Sequence, residues 1–252
     1  MATGLQGKTV LITGASRGIG AATARACAAA GARTILHASR RSEASEAVAA
    51  FLGGEDGAFF YEDLAMNGAG ARLAARAVER VGRLDGVVNN AGVYRPTPLA
   101  GDSDAWESGW EEQLAVNLRA PAELCRAAIA HFRNDGQGGT IVNIASRAGQ
   151  RGDGPDHAAY AATKGALLAM TKTFARALAG ENIFVYAIAP GWVETRMAPE
   201  DIEARKKAVA DIPLGRVAAP EEIAALVAFL LSGASPSATG ATFDVNGASY
   251  VR

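Results

Sequence analysis

The chain has 252 residues, about half of them apolar, enough to bury a full core within a single α/β domain. Its 25 basic and 26 acidic residues nearly cancel, which argues against a nucleic-acid or membrane-surface binder and leaves a small molecule as the expected partner. Two cysteines, Cys27 and Cys125, lie in Ala-rich stretches without metal-ligand spacing or a disulfide framework, so both read as packing residues.

The N-terminus lacks the charged region and apolar run of a secretory signal, and the longest apolar run, Ile223 to Leu231, is too short to cross a bilayer. A cytoplasmic protein that spans no membrane is expected. Short β-branched runs alternate with Ala-rich segments of helical period throughout, the pattern of a parallel sheet covered on both faces. Strands are predicted near Thr9 to Thr13, Thr34 to Ala38, Ala58 to Tyr61, Gly86 to Asn89, Thr140 to Ile144, Phe184 to Ile188 and Thr242 to Val245. Helices are predicted over Gly18 to Ala30, Ser42 to Phe51, Asn67 to Val81, Trp110 to His131, Ala158 to Ala179 and Pro220 to Leu231, with Gly31, Gly82 and Gly180 closing three of them. The fold class expected is a Rossmann-like, doubly wound seven-stranded parallel sheet, residues 1–252 forming one domain with a small substrate-loop region at about 191–216. Three irregular stretches, Asn90 to Glu107, Arg147 to His157 and Gly191 to Arg216, follow strands, where open α/β sheets bind ligands.

The first strand runs into Gly14, Ala15, Ser16, Arg17, Gly18, Ile19 and Gly20 before a helix begins. Glycines let the backbone approach a pyrophosphate, and the helix start offers free N–H groups and a favourable dipole. Taken alone, this Gly-x-x-x-Gly-x-Gly spacing is either a phosphate-binding turn or a tight strand-to-helix connection. At the end of the second strand Ala38 stands where NAD binders place an acid, and Ser39, Arg40 and Arg41 follow. Together with Arg17 these guanidiniums suit a 2′-phosphate, so NADP(H) is favoured and NAD(H) kept open; the alternative is a solvated loop.

Tyr160 and Lys164 lie four apart at the head of a predicted helix and share a face. An ammonium beside a phenol lowers its pKa and makes it a usable general acid or base. An isolated pair of this kind is more often plain helix surface. Ser146, at the carboxyl end of a predicted strand, adds a hydroxyl that can meet a substrate oxygen as charge develops. No Gly-x-Ser-x-Gly elbow encloses it, which argues against a hydrolase. The three histidines are scattered, so no metal site is expected; His157 is either a substrate contact or a loop-surface residue. Tyr94, Trp192 and Met197 are candidates for an apolar substrate wall, while Arg95, Arg151, Asp153, Asp156 and His157 meet polar or anionic groups or face water.

In order along the chain, Thr13 to Gly20, Asp63-Leu64, Asn89-Asn90-Ala91-Gly92, Asn117, Ser146, Tyr160, Lys164 and Pro190-Gly191 with Val193 and Thr195 closely resemble the motifs of the short-chain dehydrogenase/reductase family, over essentially the whole chain. The resemblance implies that Ser146 orients a carbonyl, Tyr160 protonates it, Lys164 also holds the nicotinamide ribose, and Asn117 supports a water in a proton relay. It further implies that Asp63 and Leu64 sit near the adenine, that Asn90, Ala91 and Gly92 line the cofactor, and that Pro190, Gly191, Val193 and Thr195 line the nicotinamide. The tail from Ile212 to Ile223 resembles that of 3-oxoacyl-thioester reductases and their relatives with other substrates, and members of the family are commonly homotetramers or dimers. Asn246-Gly247 in Asp244-Val245-Asn246-Gly247-Ala248 departs from the usual Asp-Gly-Gly. The readings that follow are reduction of a ketone or 3-oxoacyl-like carbonyl with NADP(H), NAD-linked oxidation of a sugar, polyol or other secondary alcohol, and, as a third, a catalytically silent dinucleotide binder.

Overall fold

The computed structural model describes residues 4–53, 59–198 and 201–251. Its elements run β1 (Thr9–Ile12), α1 (Gly18–Ala29), β2 (Arg33–Ala38), α2 (Glu43–Phe51), β3 (Phe59–Tyr61), α3 (Ala69–Val81), β4 (Gly86–Asn89), α4 (Ser103–Leu114), α5 (Ala120–Asp135), β5 (Gly139–Ile144), α6 (Ala148–Arg151), α7 (Ala158–Leu178), β6 (Ile183–Pro190), α8 (Ile202–Ala210), α9 (Pro220–Leu231) and β7 (Thr242–Val245). All seven strands are parallel, in the order β3-β2-β1-β4-β5-β6-β7. That order reverses between β1 and β4, the switch point at which doubly wound sheets open a crevice at their carboxyl ends.

The strands read as continuous apolar runs because both faces are covered. Val10, Ile12, Val142, Ile144, Tyr186 and Ile188 point to a core shared with α1 and α9. Leu11, Ile141, Ile183 and Val185 point the other way, to a core shared with α3, α5 and the end of α7. Each fully buried Leu or Ile stabilises the layered arrangement by roughly 1.5–3 kcal/mol. Cys27 and Cys125 are buried and unpaired, with thiols pushed up to about 12 by burial, so they serve packing.

The structure departs from the sequence expectations in five places, one of them the short helix α6 and a 3-10 turn at Pro155–His157 inside the stretch expected to be irregular from Arg147 to His157. The single helix expected over Trp110 to His131 is two, α4 and α5, joined through a wide π turn at Ala115–Arg119. The stretch expected to be irregular from Asn90 to Glu107 already contains the start of α4, capped by Asp102 Oδ2 accepting from the Ala105 N–H at 2.8 Å. Within the stretch from Gly191 to Arg216 lies α8, capped the same way by Asp201 and Ala204 at 2.8 Å. After α7 the chain passes through a short 3-10 turn, and the left-handed residue is Asn182 (φ 57°), not the expected Gly180. Ala58, placed by sequence at the start of the third strand, lies outside the described residues. Among those residues no helix is long and apolar enough to cross a membrane.

Candidate active site

The groups of chemical interest collect at the carboxyl ends of β1 to β6. After β1, Thr13 Oγ1 accepts the N–H groups of Asn90 (2.9 Å) and Ala91 (3.0 Å) and donates to Val88 O (3.2 Å). Asn90 Nδ2 in turn donates to Thr13 O (2.9 Å) and Gly14 O (3.2 Å), so the segments after β1 and β4 form one hydrogen-bonded unit. Gly14 takes φ +65°, and a Cβ there would lie 2.8 Å from Ala91 Cα. At Gly20 a Cβ would lie 2.2 Å from Gly14 O, so no side chain is accommodated where α1 closes on the turn. Thr195 Cγ2 occupies the space beside Gly18, 2.9 Å from where a Cβ would stand, which brings the segment after β6 onto the glycine turn.

The start of α1 has no side-chain cap and no acid in its first turn. Its free N–H groups and the positive end of its dipole therefore face outward, next to Ser16, Arg17 and Ile19, as a pyrophosphate requires. The donor set and the clearance at Gly14 and Gly20 fit a dinucleotide. A residue that sequence reasoning missed completes this turn: His37, buried in β2, accepts the Gly14 N–H at Nδ1 (3.3 Å) and donates from Nε2 to Glu62 O (2.9 Å). Those bonds use both ring nitrogens and define a neutral ring, and burial lowers its pKa accordingly. The signal available was its position in the strand facing the turn.

At the far end of the crevice, Ala38 ends β2, and Ser39, Arg40 and Arg41 are exposed. Arg41 pairs with Glu46 (2.7 Å), whereas Arg17 and Arg40 have no acidic partner among the described residues. Two of the three arginines grouped by sequence are thus free to meet an anion, and the third is already engaged. Asp63 is exposed with Oδ1 accepting from the Ala65 N–H (2.9 Å), beside buried Leu64.

On the other side of the switch point stand Asn117, Ser146, Tyr160 and Lys164. The π turn widens the helix at Asn117, whose buried side chain accepts from Val93 N–H (2.8 Å) and donates to Val93 O (2.9 Å) and Thr163 Oγ1 (3.3 Å). Lys164 is buried on α7 and donates to Ile144 O (2.8 Å), its Nζ 5.6 Å from the centre of the Tyr160 ring. Ser146 Oγ accepts the Ala148 N–H (3.1 Å) and lies close enough to the Tyr160 hydroxyl to lower its pKa. The electrostatics differ from the sequence expectation. Burial is the largest influence on the Tyr160 hydroxyl and holds it up at about 12, the neighbouring Ser146 pulling downward. Lys164 is itself pushed down to about 8 by burial. A cation whose charge is costly where it sits is a weak lever on its neighbour.

Over these groups lies an aromatic rim. Tyr94 stacks on His157 with ring centres 4.0 Å apart, meets Tyr160 edge-on at 4.8 Å and Trp192 edge-on at 6.3 Å. Its hydroxyl donates to Asp153 Oδ2 (3.4 Å). Pro190 ends β6 and accepts the Arg147 N–H (3.0 Å), Gly191 packs on Asn246, and Val193 is buried, bridged to Ala218. Arg95 points away, paired with Glu112 at 3.0 Å. The geometry presents a protonated phenol and a serine hydroxyl to one point, beside a turn suited to a dinucleotide. It can deliver a proton to a carbonyl oxygen.

The family pattern described as Enoyl-(Acyl carrier protein) reductase matches residues 14–248. A 3-oxoacyl-[acyl-carrier-protein] reductase of Thermotoga maritima is 35% identical over 96% of this chain and 98% of its own length. An L-rhamnose 1-dehydrogenase (NAD(P)(+)) of Azotobacter vinelandii is 34% identical over 97% of each chain. A crystal structure of a dehydrogenase/reductase from Sinorhizobium meliloti superimposes with a TM-score of 0.89 at 33% identity, covering 99% of this chain and 98% of that one. The chain therefore belongs to the short-chain dehydrogenase/reductase family, as an oxidoreductase acting between alcohol and carbonyl groups.

Proposed function

We propose that the chain reduces a small ketone, or the ketone of a 3-oxoacyl-like substrate, with NADP(H), with Tyr160 as the proton donor. The observation behind this reading is the half-buried Tyr160, its hydroxyl held protonated well above neutrality beside the Ser146 hydroxyl. The nicotinamide cofactor supplies the hydride when bound. Ser146 Oγ, beside Tyr160, holds the substrate oxygen by donating a hydrogen bond to it. Tyr160 Oη gives its proton to that oxygen as negative charge develops. Lys164 uses one N–H on Ile144 O and has two more to offer to the ribose hydroxyls and the phenol oxygen. Asn117 keeps the widened turn beside Thr163 and supports the water that returns a proton.

Gly14, Ser16, Gly18, Ile19 and Gly20 take the pyrophosphate, with Asp63 and Leu64 at the adenine, and Asn90, Ala91 and Gly92 along the ribose. Pro190, Gly191, Val193 and Thr195 flank the nicotinamide. Arg17 and Arg40 meet the 2′-phosphate, with Ser39 beside them and Arg41 in support. Tyr94, His157 and Trp192 shape the substrate side. The enzyme works in the cytoplasm as a homo-oligomer, a dimer or tetramer, which sedimentation velocity decides.

Titrating NADPH and NADH separately against the purified protein, by nicotinamide fluorescence, tests the cofactor. Tighter NADPH binding that collapses in Arg40→Ala, and falls less in Arg41→Ala, is expected. Equal or tighter NADH binding untouched by either substitution sinks the assignment. A second reading, NAD-linked oxidation of a sugar or polyol, is favoured by the similarity to the L-rhamnose dehydrogenase and would then move to the front.

A further inference from the structure

The rim contains a charge that the proton-transfer machinery does not use. Arg147 follows Ser146 directly and is only 6% exposed, yet its Nη1 is buried without a hydrogen-bond partner. No carboxylate oxygen lies within 4.0 Å of its guanidinium among the described residues. An unpaired charge in a protein interior is costly and persists where something else completes it. Burial accordingly lowers its pKa, the largest influence on the group, and the charges around it are Arg151, Asp153, Asp211 and the Tyr94 hydroxyl.

Those neighbours come from all three loops over the reaction point. Tyr94 follows β4, Arg151 and Asp153 follow β5, and Asp211 follows α8 on the long segment after β6. The Arg147 backbone N–H is fixed on Pro190 O (3.0 Å), at the meeting of β5 and β6. Asp153 is turned elsewhere, its two oxygens accepting from Gly154 N–H (2.9 Å) and from the Tyr94 hydroxyl (3.4 Å). On the same segment His157 Nδ1 is also buried without a partner, in the ring stacked on Tyr94.

We infer that the substrate is an oxo-carboxylate or its hydroxy-carboxylate partner, whose carboxylate is received by Arg147 while its carbonyl oxygen lies between Ser146 and Tyr160. A guanidinium presents paired N–H donors that match a carboxylate bidentately. Asp153 and Asp211, close enough to be felt by Arg147, favour a monoanion over a phosphate dianion. Tyr94 and Trp192, meeting edge-on at 6.3 Å, offer apolar contact to a short carbon skeleton between the two polar ends. This inference rests on the proposed carbonyl chemistry and adds the substrate class to it.

Calorimetric titration of 3-oxobutanoate and of its uncharged methyl ester into the full-length protein, with and without saturating NADP+, tests it without turnover. The acid should bind at least tenfold more tightly than the ester. In Arg147→Met the ratio of acid to ester affinity should fall about 100-fold, the loss expected for a charged hydrogen-bonded pair, with partial recovery in Arg147→Lys. Thermal melts show which variants fold. If Arg147→Met does not, the preference of the wild-type protein, its weakening in Arg147→Lys and its decline with added salt carry the decision. Equal affinity for acid and ester, no binding of the acid, or an acid preference that survives in Arg147→Met overturns the inference. Failure of the proposed carbonyl chemistry registers separately, as no exchange of hydride between NADP(H) or NAD(H) and any ketone or secondary alcohol, charged or uncharged.

Discussion

The glycine turn and the substrate rim are built from the same kind of segment, loops leaving the carboxyl ends of strands, yet their polar groups are treated in opposite ways. In the turn, Thr13, Asn90, His37 and the Gly14 backbone satisfy one another, and glycines remove the side chains that would separate them. On the rim, Arg147 Nη1, Gln150 Oε1 and His157 Nδ1 are buried without partners on a single segment. Closed hydrogen-bond networks hold a shape in advance, whereas buried open ones are a standing cost. A preformed cradle for the part every family member shares, and an unfinished wall for the part that differs, is the division of labour this contrast implies.

The deepest cut into the comparison is at the point where the two regions meet. Tyr160→Phe removes the proton donor and leaves the turn intact. The kcat for carbonyl reduction should fall about 10³-fold, within the range for a general acid, while cofactor affinity measured by fluorescence stays within about twofold. Loss of cofactor affinity in step with kcat would mean that the two regions are not separable.

Gly20→Ala attacks the preformed side. Its Cβ would stand 2.2 Å from Gly14 O and 2.6 Å from Asn90 Nδ2, both held in the network. The turn must open, so cofactor affinity should drop about 100-fold and Tm should fall as well. His37→Ala probes the same network from outside the glycine motif. It leaves the Gly14 N–H and Glu62 C=O without their partner, at a cost of about 2–3 kcal/mol in denaturant unfolding. Burial also holds the folded-state pKa of His37 below 6.5, so the unfolded chain takes the proton first. Stability therefore declines as pH falls through 6.5, and His37→Ala should lose that part of the decline.

These two sites show what could be read in the sequence. Gly14, Gly18 and Gly20 announce themselves because a turn between a strand and a helix leaves few residue choices, and the seven strands were visible because burial on both faces writes continuous apolar runs. His37 was hidden, since its role depends on a neighbouring strand bringing Glu62 opposite. The helices α4 and α8 bury one residue each, Gln113 and Ala208, so no buried apolar stripe marks them, although Asp102 and Asp201 stood at the right places to cap them. The π turn at Asn117 has no local signature, being fixed by Val93 and Thr163 from elsewhere in the chain. The sequence pairing of Lys164 with Tyr160 treats the ammonium as the lever on the phenol, whereas burial acts on both groups at once.

That energetic difference gives a pH test. Reduction needs Tyr160 protonated and Lys164 charged. With the tyrosine held up at about 12 and the lysine brought down to about 8, the lysine loses its proton first as pH rises. kcat/KM for reduction should be level through neutrality and fall about tenfold per pH unit above about 8. A limb that begins only near 10.5 would show that bound cofactor restores the lysine to its ordinary value.

The smallest expected effect lies where the rim is tied down. After β7 the chain turns through Asn246, whose Nδ2 donates to Tyr250 O (3.0 Å), and Gly247, whose carbonyl accepts the Leu214 N–H (3.2 Å) from the segment over the substrate side. The departure from Asp-Gly-Gly noted in the sequence is therefore a working turn, with the Asn246 side chain closing it. Ala248 adopts φ 66°, a left-handed conformation that an alanine holds at a cost of about 1–2 kcal/mol. Ala248→Gly relieves that strain and adds about 0.5–1 kcal/mol of unfolded-state entropy, so the net gain should be about 0.5 kcal/mol, seen as a rise in Tm of a degree or two. If the rim is loose by construction, this gain leaves KM unchanged. A fall in KM alongside the rise in Tm would instead show that the turn after β7 sets how firmly the substrate loops are held.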